Sequence, residues 1–197
     1  MYALITDGSI AKYLSGNRGI TIGGIQYPQN IFTVWTAAEK EAIGIYEVIQ
    51  NNAKKKDGEY YINTNQTFTY DADAGTVTAT YGDATAKAHA DANATDADGN
   101  DLDPVVVIEG LKTKLIRTVK AQAAGILQDT DWYIVRKADA GTAVPSAITT
   151  HRAAVRTKAA SMETAITNAA DTPALAALYV YNADNPPTRP LGELPIL

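Results

Sequence analysis

The residues best able to do chemistry lie between Asp91 and Asp103. Asp96, Asp98, Asn100 and Asp103 alternate with small residues and set side-chain oxygens at intervals that suit calcium, a hard cation that takes oxygen ligands. The pattern departs from an EF-hand loop. Gly99 falls at the fourth place instead of the sixth, and Val107 stands at the twelfth, where a bidentate Glu belongs. The four residues are therefore a weak calcium candidate, set against a solvated acidic loop, and the expectation is no resident metal or cofactor. The chain has no cysteine and two histidines, so a thiolate zinc site and a cysteine nucleophile are ruled out. A Ser-His-Asp triad would have to run through His89 or His151. His89 sits among Ala and Asp, and His151 precedes Arg152 in a helical pattern with no placed partner. Gly19 to Gly24 lacks the Lys-Ser/Thr of a phosphate-binding loop and opens no helix. The expectation is that the protein is not an enzyme.

Two further constellations suggest contact instead of catalysis. Trp132 and Arg136 stand one helical turn apart, a spacing that lets a guanidinium lie over an indole. Trp and Arg are favoured interface anchors, and the apolar Leu194 and Ile196 close the chain, so these four residues are the interface candidates. Phe68, Tyr70, Val77, Ala79 and Tyr81 fall on one face at period two. They form a half-buried sheet face or, alternatively, the aromatic platform of a carbohydrate- or receptor-binding module.

The elements that must position these groups differ along the chain. Residues 1–82 read as a small antiparallel β domain with one short helix. Asp7-Gly8 separates Tyr2–Ile5 from Ile10–Leu14, and Gly23-Gly24 separates Gly19–Ile22 from Ile25–Tyr27. Both pairs are hairpin turns, since such residues tolerate positive φ. Thr36-Ala37-Ala38-Glu39 is a capping box opening a helix that ends at Gly44, with a strand after it from Ile45 to Ile49. Gln66–Tyr70 and Thr76–Tyr81 form a hairpin.

Residues 83–103 read as an acidic Ala/Asp-rich loop or linker. The whole chain of 197 residues carries a formal charge of -5. Residues 71–103 alone hold eight Asp and one Lys, a net of -7, which leaves +2 for the remainder. Gly82 to Asn100 has no apolar side chain larger than alanine and so little to bury against the entropy of ordering.

Residues 104–181 read as an antiparallel helical hairpin with a corner helix. The first helix is expected just after Pro104, with Ile108, Leu111, Leu115, Val119, Ala123 and Ile126 inward and Lys112, Lys114, Arg117 and Lys120 outward. The basic face is read as solvated, with no aromatic interleaving to suggest nucleic acid. A short helix follows, capped by Asp129 or Thr130, ended by Gly141 and locked onto the longer helices by Trp132 and Val135. Pro145 opens the last long helix, with Ile148, Val155, Ala159, Met162 and Ile166 on its stripe and Arg152, Arg156, Lys158 and Glu163 on its polar side. Thr172 caps a final short helix before Pro173. Residues 182–197 form a Pro-rich extended tail, either frayed or docked. No apolar run approaches the roughly 20 residues of a membrane span, and the N-terminus lacks a signal-peptide pattern. The class is α+β.

Several stretches, in this order, resemble one group of bacteriophage tail-associated proteins, the tail-fibre and tail-assembly proteins, including those of marine phages. They are Met1–Ile5 with Asp7-Gly8, Gly24–Asn30 with the capped helix ending Ala42–Ile45, and Gln66–Tyr70 with Gly75–Val77. The most specific is Thr130–Tyr133 with Arg136-Lys137, Gly141–Pro145 and His151–Arg156. The resemblance implies a non-enzymatic structural or assembly protein of the virion tail, or of the host bacterial cytoplasm during assembly. Its partners would be other tail proteins, with homo-oligomers if it is structural, and neither nucleic acid nor membrane. It implies no catalytic residues.

Overall fold

A computed structural model describes every residue from Met1 to Leu197. The chain divides into two units, Met1–Thr85 and Ala86–Leu197. The first is β-rich and the second mainly helical, an α+β protein as the hydrophobic periods predict.

The first unit contains β1 (Tyr2–Thr6), β2 (Ser9–Leu14), β3 (Ile20–Ile22), β4 (Ile25–Tyr27), α1 (Ile31–Val34), α2 (Ala37–Glu41), β5 (Ile45–Asn51), β6 (Tyr61–Ile62), β7 (Gln66–Asp71) and β8 (Thr76–Tyr81). β9 (Thr85–Ala86) lies where the chain passes into the second unit. Five strands form a sheet in the order β2-β1-β5-β8-β7. Asp7 and Gly8 take φ of 52° and 73° between β1 and β2, the double left-handed turn that matches strand twist. The Thr36–Glu39 capping box forms in both directions, with the Glu39 carboxylate accepting the Thr36 N–H at 2.7 Å. After α2 the chain turns at Gly44, where φ is 81° and an added Cβ would stand 2.7 Å from the Ile5 carbonyl oxygen. Only glycine fits there.

One strand pair departs from the antiparallel expectation. β5 runs parallel to β8, with Val48 opposite Val77 and Gln50 opposite Ala79. The β7–β8 hairpin joins the sheet through its second strand because Val77 and Ala79, both fully buried, complete the cluster of Ala3 and Val48, while the larger Phe68 and Tyr70 of β7 pack at its border. Local alternation cannot show which strand of a hairpin will dock. Side chains alternate across β1, so Ala3 faces that cluster and Tyr2 and Leu4 face a second one of Leu14, Ile31, Phe32 and Ile45. Ile31 and Phe32 come from α1, a single turn too short to leave a periodic signal.

The second unit contains β10 (Ala92–Asn93), β11 (Val107–Ile108), α3 (Leu111–Gln128), α4 (Asp131–Ala140), α5 (Ser146–Asn168) and α6 (Thr172–Ala177). α3 packs along α5. Leu111, Leu115, Val119 and Ala123 on one helix and Ile148, Val155, Ala159, Met162 and Ile166 on the other are buried, as their three- and four-residue spacing predicts.

Several local expectations are corrected. From Ala92 onward the Ala/Asp-rich loop folds back on itself as a short ribbon. β10 pairs antiparallel with β11, and a bridge joins Thr95 to Asp101 below a tight tip. Backbone hydrogen bonds and Asp carboxylates order it where apolar burial does not. α3 begins at Leu111 and not after Pro104, because the β-branched run Val105–Ile108 ends in the ribbon strand β11. Its start is fastened from the ribbon. The Asp91 carboxylate accepts the Gly110 N–H and the Thr113 hydroxyl, each at 2.8 Å, and the Gly110 bond chiefly holds Asp91 below the usual carboxylate range. α6 is capped by Asp171, whose carboxylate accepts the Ala174 N–H, while Thr172 is buried and donates to the Lys87 carbonyl. The tail is docked on its own unit: Leu191 is buried, its N–H donates to the Leu178 carbonyl and its carbonyl accepts from the Lys158 ammonium at 2.8 Å.

Candidate functional site, an aromatic end of the helical unit

The turn between α3 and α4 is built around Arg152. The sequence pattern places this residue on the polar side of α5, but it is 7% exposed. Its guanidinium donates to the Leu127 carbonyl and the Thr130 hydroxyl, both at 2.7 Å, and pairs with the Asp131 carboxylate at 2.8 Å. Leu127 lies in the last turn of α3, Thr130 precedes α4 and Asp131 begins it. One cation on α5 therefore gathers the end of one helix and the beginning of the next. The signal for this was present. Ile148, Arg152, Val155 and Ala159 keep the buried three- and four-residue spacing, and only the charge of Arg152 argued otherwise.

α4 buries no residue completely. Trp132 and Val135 do not lock it down, being 52% and 65% exposed; Tyr133 and Arg136 are the half-buried side instead. The Arg136 guanidinium lies 4.4 Å from the Trp132 ring centroid and 5.4 Å from that of Tyr133, the stacking that the one-turn spacing predicts. The two rings are 4.2 Å apart. Arg136 thus restrains an indole that remains open to solvent.

The tail reaches the same end. Arg189 pairs with Glu193 through two nitrogens, at 2.7 and 2.9 Å, and lies over the rings of Tyr179 and Tyr181. Leu194 then lines a groove with Ile126, Asp129 and Met162. Ile196 and Leu197 border a cavity of about 300 Å³ with Ile126, Trp132, Tyr133 and Ile148. Ile196 is 86% exposed. The structure therefore brings Trp132, Arg136 and Ile196 to one end, with Leu194 in the adjoining groove. His151 is buried on α5 and lines the same cavity. Tyr133, Leu197 and Arg152 are the members of this site that the sequence reading did not single out.

The acidic candidates fall elsewhere. Asp96 turns back on its own tip and accepts the N–H groups of Asp98 and Asn100, both at 2.9 Å, and the Asn100 bond chiefly holds its carboxyl below the usual range. Asp98 and Asp103 are exposed, and no group of three or more His, Asp or Glu converges to hold a metal ion. His89 is half-buried, and its carbonyl accepts the Lys112 N–H. In the first unit the Tyr70 hydroxyl donates to that of Tyr46 at 3.3 Å, and the Lys55 ammonium lies over the Tyr81 ring. No helix is long and apolar enough to cross a membrane.

Comparison with known proteins finds no family, no curated relative and no solved structure that matches the chain.

Proposed function

We propose that this chain is a bacteriophage tail-associated protein, structural or assembly-directing, that works through protein–protein contact without catalysis. The aromatic end of the helical unit is its contact surface. The observation that carries the reading is Trp132, 52% exposed yet held under the Arg136 guanidinium beside the exposed Ile196 and Leu197. A large aromatic group fixed before binding loses little entropy when a partner covers it, and aromatic and Arg anchors of this kind dominate interface energetics. The resemblance of its ordered motifs to tail-fibre and tail-assembly proteins supplies the setting, with a virion tail or the bacterial cytoplasm as the place of action. The alternative, a carbohydrate- or receptor-binding module on the β face, draws less support. The Tyr70 hydroxyl is bonded to that of Tyr46, and the Lys55 ammonium stands over the Tyr81 ring.

Mass spectrometry of purified particles, alongside tail precursors isolated from the same lysate, tests the proposal. A structural component is found in the particles. An assembly protein is found with the precursors and is missing from the particles. Absence from both rejects the reading.

A further inference from the structure

The first unit is acidic, with nine carboxylates against six Lys and Arg in residues 1–85. Four of those six cations are engaged. Lys54 pairs with Asp83, while Lys40, Lys55 and Lys56 stand over the rings of Tyr2, Tyr81 and Tyr61. Lys12 and Arg18 are the two that pair with no carboxylate and stand over no ring. Both line one cavity of about 510 Å³, bounded by the end of β2, the loop Ser15–Gly19, β3 and Phe32 of α1. That size is ordinary for a small-molecule site. In an acidic unit, this cavity has no carboxylate in its lining.

The loop is held in place against β4. An added Cβ at Gly19 would stand 2.7 Å from the Tyr27 carbonyl oxygen, so the backbone approaches there without room for a side chain. The buried Leu14 and Phe32, with Ile20, give the cavity an apolar floor, and Ser15 and Thr21 add hydroxyl-bearing residues to its wall. The N–H groups of Gly16, Asn17 and Arg18 donate to no acceptor in the chain. Charge selects the ligand. A phosphate monoester carries about -1.5 to -2 at neutral pH and accepts several hydrogen bonds, which two cations and free N–H groups match. A single carboxylate would leave one cation unbalanced. A wall of mixed polarity suits a sugar, which has C–H faces and hydroxyl edges. We propose that this cavity binds a small sugar phosphate, with Lys12 and Arg18 on the phosphate. The charge comes from side chains on a strand and a loop, so no helix-opening phosphate motif marks the site. The proposal is independent of the phage reading and of the aromatic end.

Nitrogen-15 NMR titration of the full chain with ribose 5-phosphate, ribose and glucuronate gives the test. Ribose 5-phosphate should move the Gly16, Asn17 and Arg18 amide resonances saturably, with a Kd of about 1 mM or below. Glucuronate, a sugar with one carboxylate, should bind at least tenfold more weakly, and ribose should move none of these resonances. Lys12→Gln and Arg18→Gln should each weaken ribose 5-phosphate tenfold or more with an unchanged circular dichroism spectrum. Lys114→Gln, which removes an exposed cation of the second unit, should leave binding as it is. No saturable shift up to about 20 mM ribose 5-phosphate, glucuronate binding as tightly, or an equal loss in Lys114→Gln would overturn the proposal.

Discussion

Arg152 is the residue on which the aromatic end most depends, because its guanidinium joins a carbonyl in the last turn of α3 to the side chains at the start of α4. Its removal leaves a void and takes a charged donor from the Thr130 hydroxyl and from the Leu127 carbonyl, which keeps its bonds to Thr130. Arg152→Met should therefore cost about 2–3 kcal/mol in urea unfolding. Asp131 is more than half exposed, and its carboxylate is solvated with or without a partner. Asp131→Asn should cost under about 1 kcal/mol, and an equal loss in both variants would contradict this division of roles. Trp132 has the opposite profile. Because Trp132 is half exposed and packed by Arg136 and the Tyr133 ring, Trp132→Ala should change stability by under about 1 kcal/mol while weakening partner binding roughly 30-fold, as for an interface hot spot. Isothermal titration with the isolated partner reads the second effect and thermal unfolding the first.

The elements divide into those that announce themselves locally and those decided by what they meet. The Asp7-Gly8 hairpin, the Thr36–Glu39 box and the two long helical stripes follow from turn chemistry and period, and the structure has them where the spacing predicts. The parallel β5–β8 pair, the inward Arg152 and the late start of α3 depend on partners distant in sequence, which no local window contains. Of the contact end, the Trp132–Arg136 stack was legible because both members lie on one helix. The approach of Ile196 and Leu197 was not, since it requires the tail to be fastened first at Leu191 and Arg189. Gly44→Ala tests one locally legible element. A Cβ there meets the Ile5 carbonyl at a left-handed φ, and the variant should lose about 1–3 kcal/mol in denaturant unfolding. The ribbon–α3 junction has a pH signature. Asp91 is held below its unfolded value of about 3.9, so its contribution is complete above that pH and is lost as pH falls through the lower folded value. The Gly110 amide resonance should titrate with a midpoint below about 3.9, and Asp91→Ala should abolish that titration. A midpoint at or above the unfolded value would show that the bond is not made.

At the scale of the whole molecule, the acidity belongs to one stretch. Residues 71–103 carry -7 of a chain whose total is -5, and most of that charge lies on the ribbon and the segment leading into it. The alanine-rich composition falls partly in this ribbon and partly in helices α3 and α5, where Ala123 and Ala159 are among the buried residues. The second unit thus invests its large side chains unevenly. Aliphatic residues fill the α3–α5 seam, while Trp132, Ile196, Leu197 and the run Val105–Ile108 are left in solvent. Exposed apolar groups on fixed elements are what a protein that works by contact requires. The most direct measurement of that claim is quantitative mass spectrometry of particles and tail precursors made with the wild-type chain or with Trp132→Ala. The account predicts that the wild type travels with one of these fractions and that Trp132→Ala is depleted from it by tenfold or more while remaining folded in the lysate. A wild type absent from both fractions, or a Trp132→Ala variant retained at the wild-type level, would contradict it.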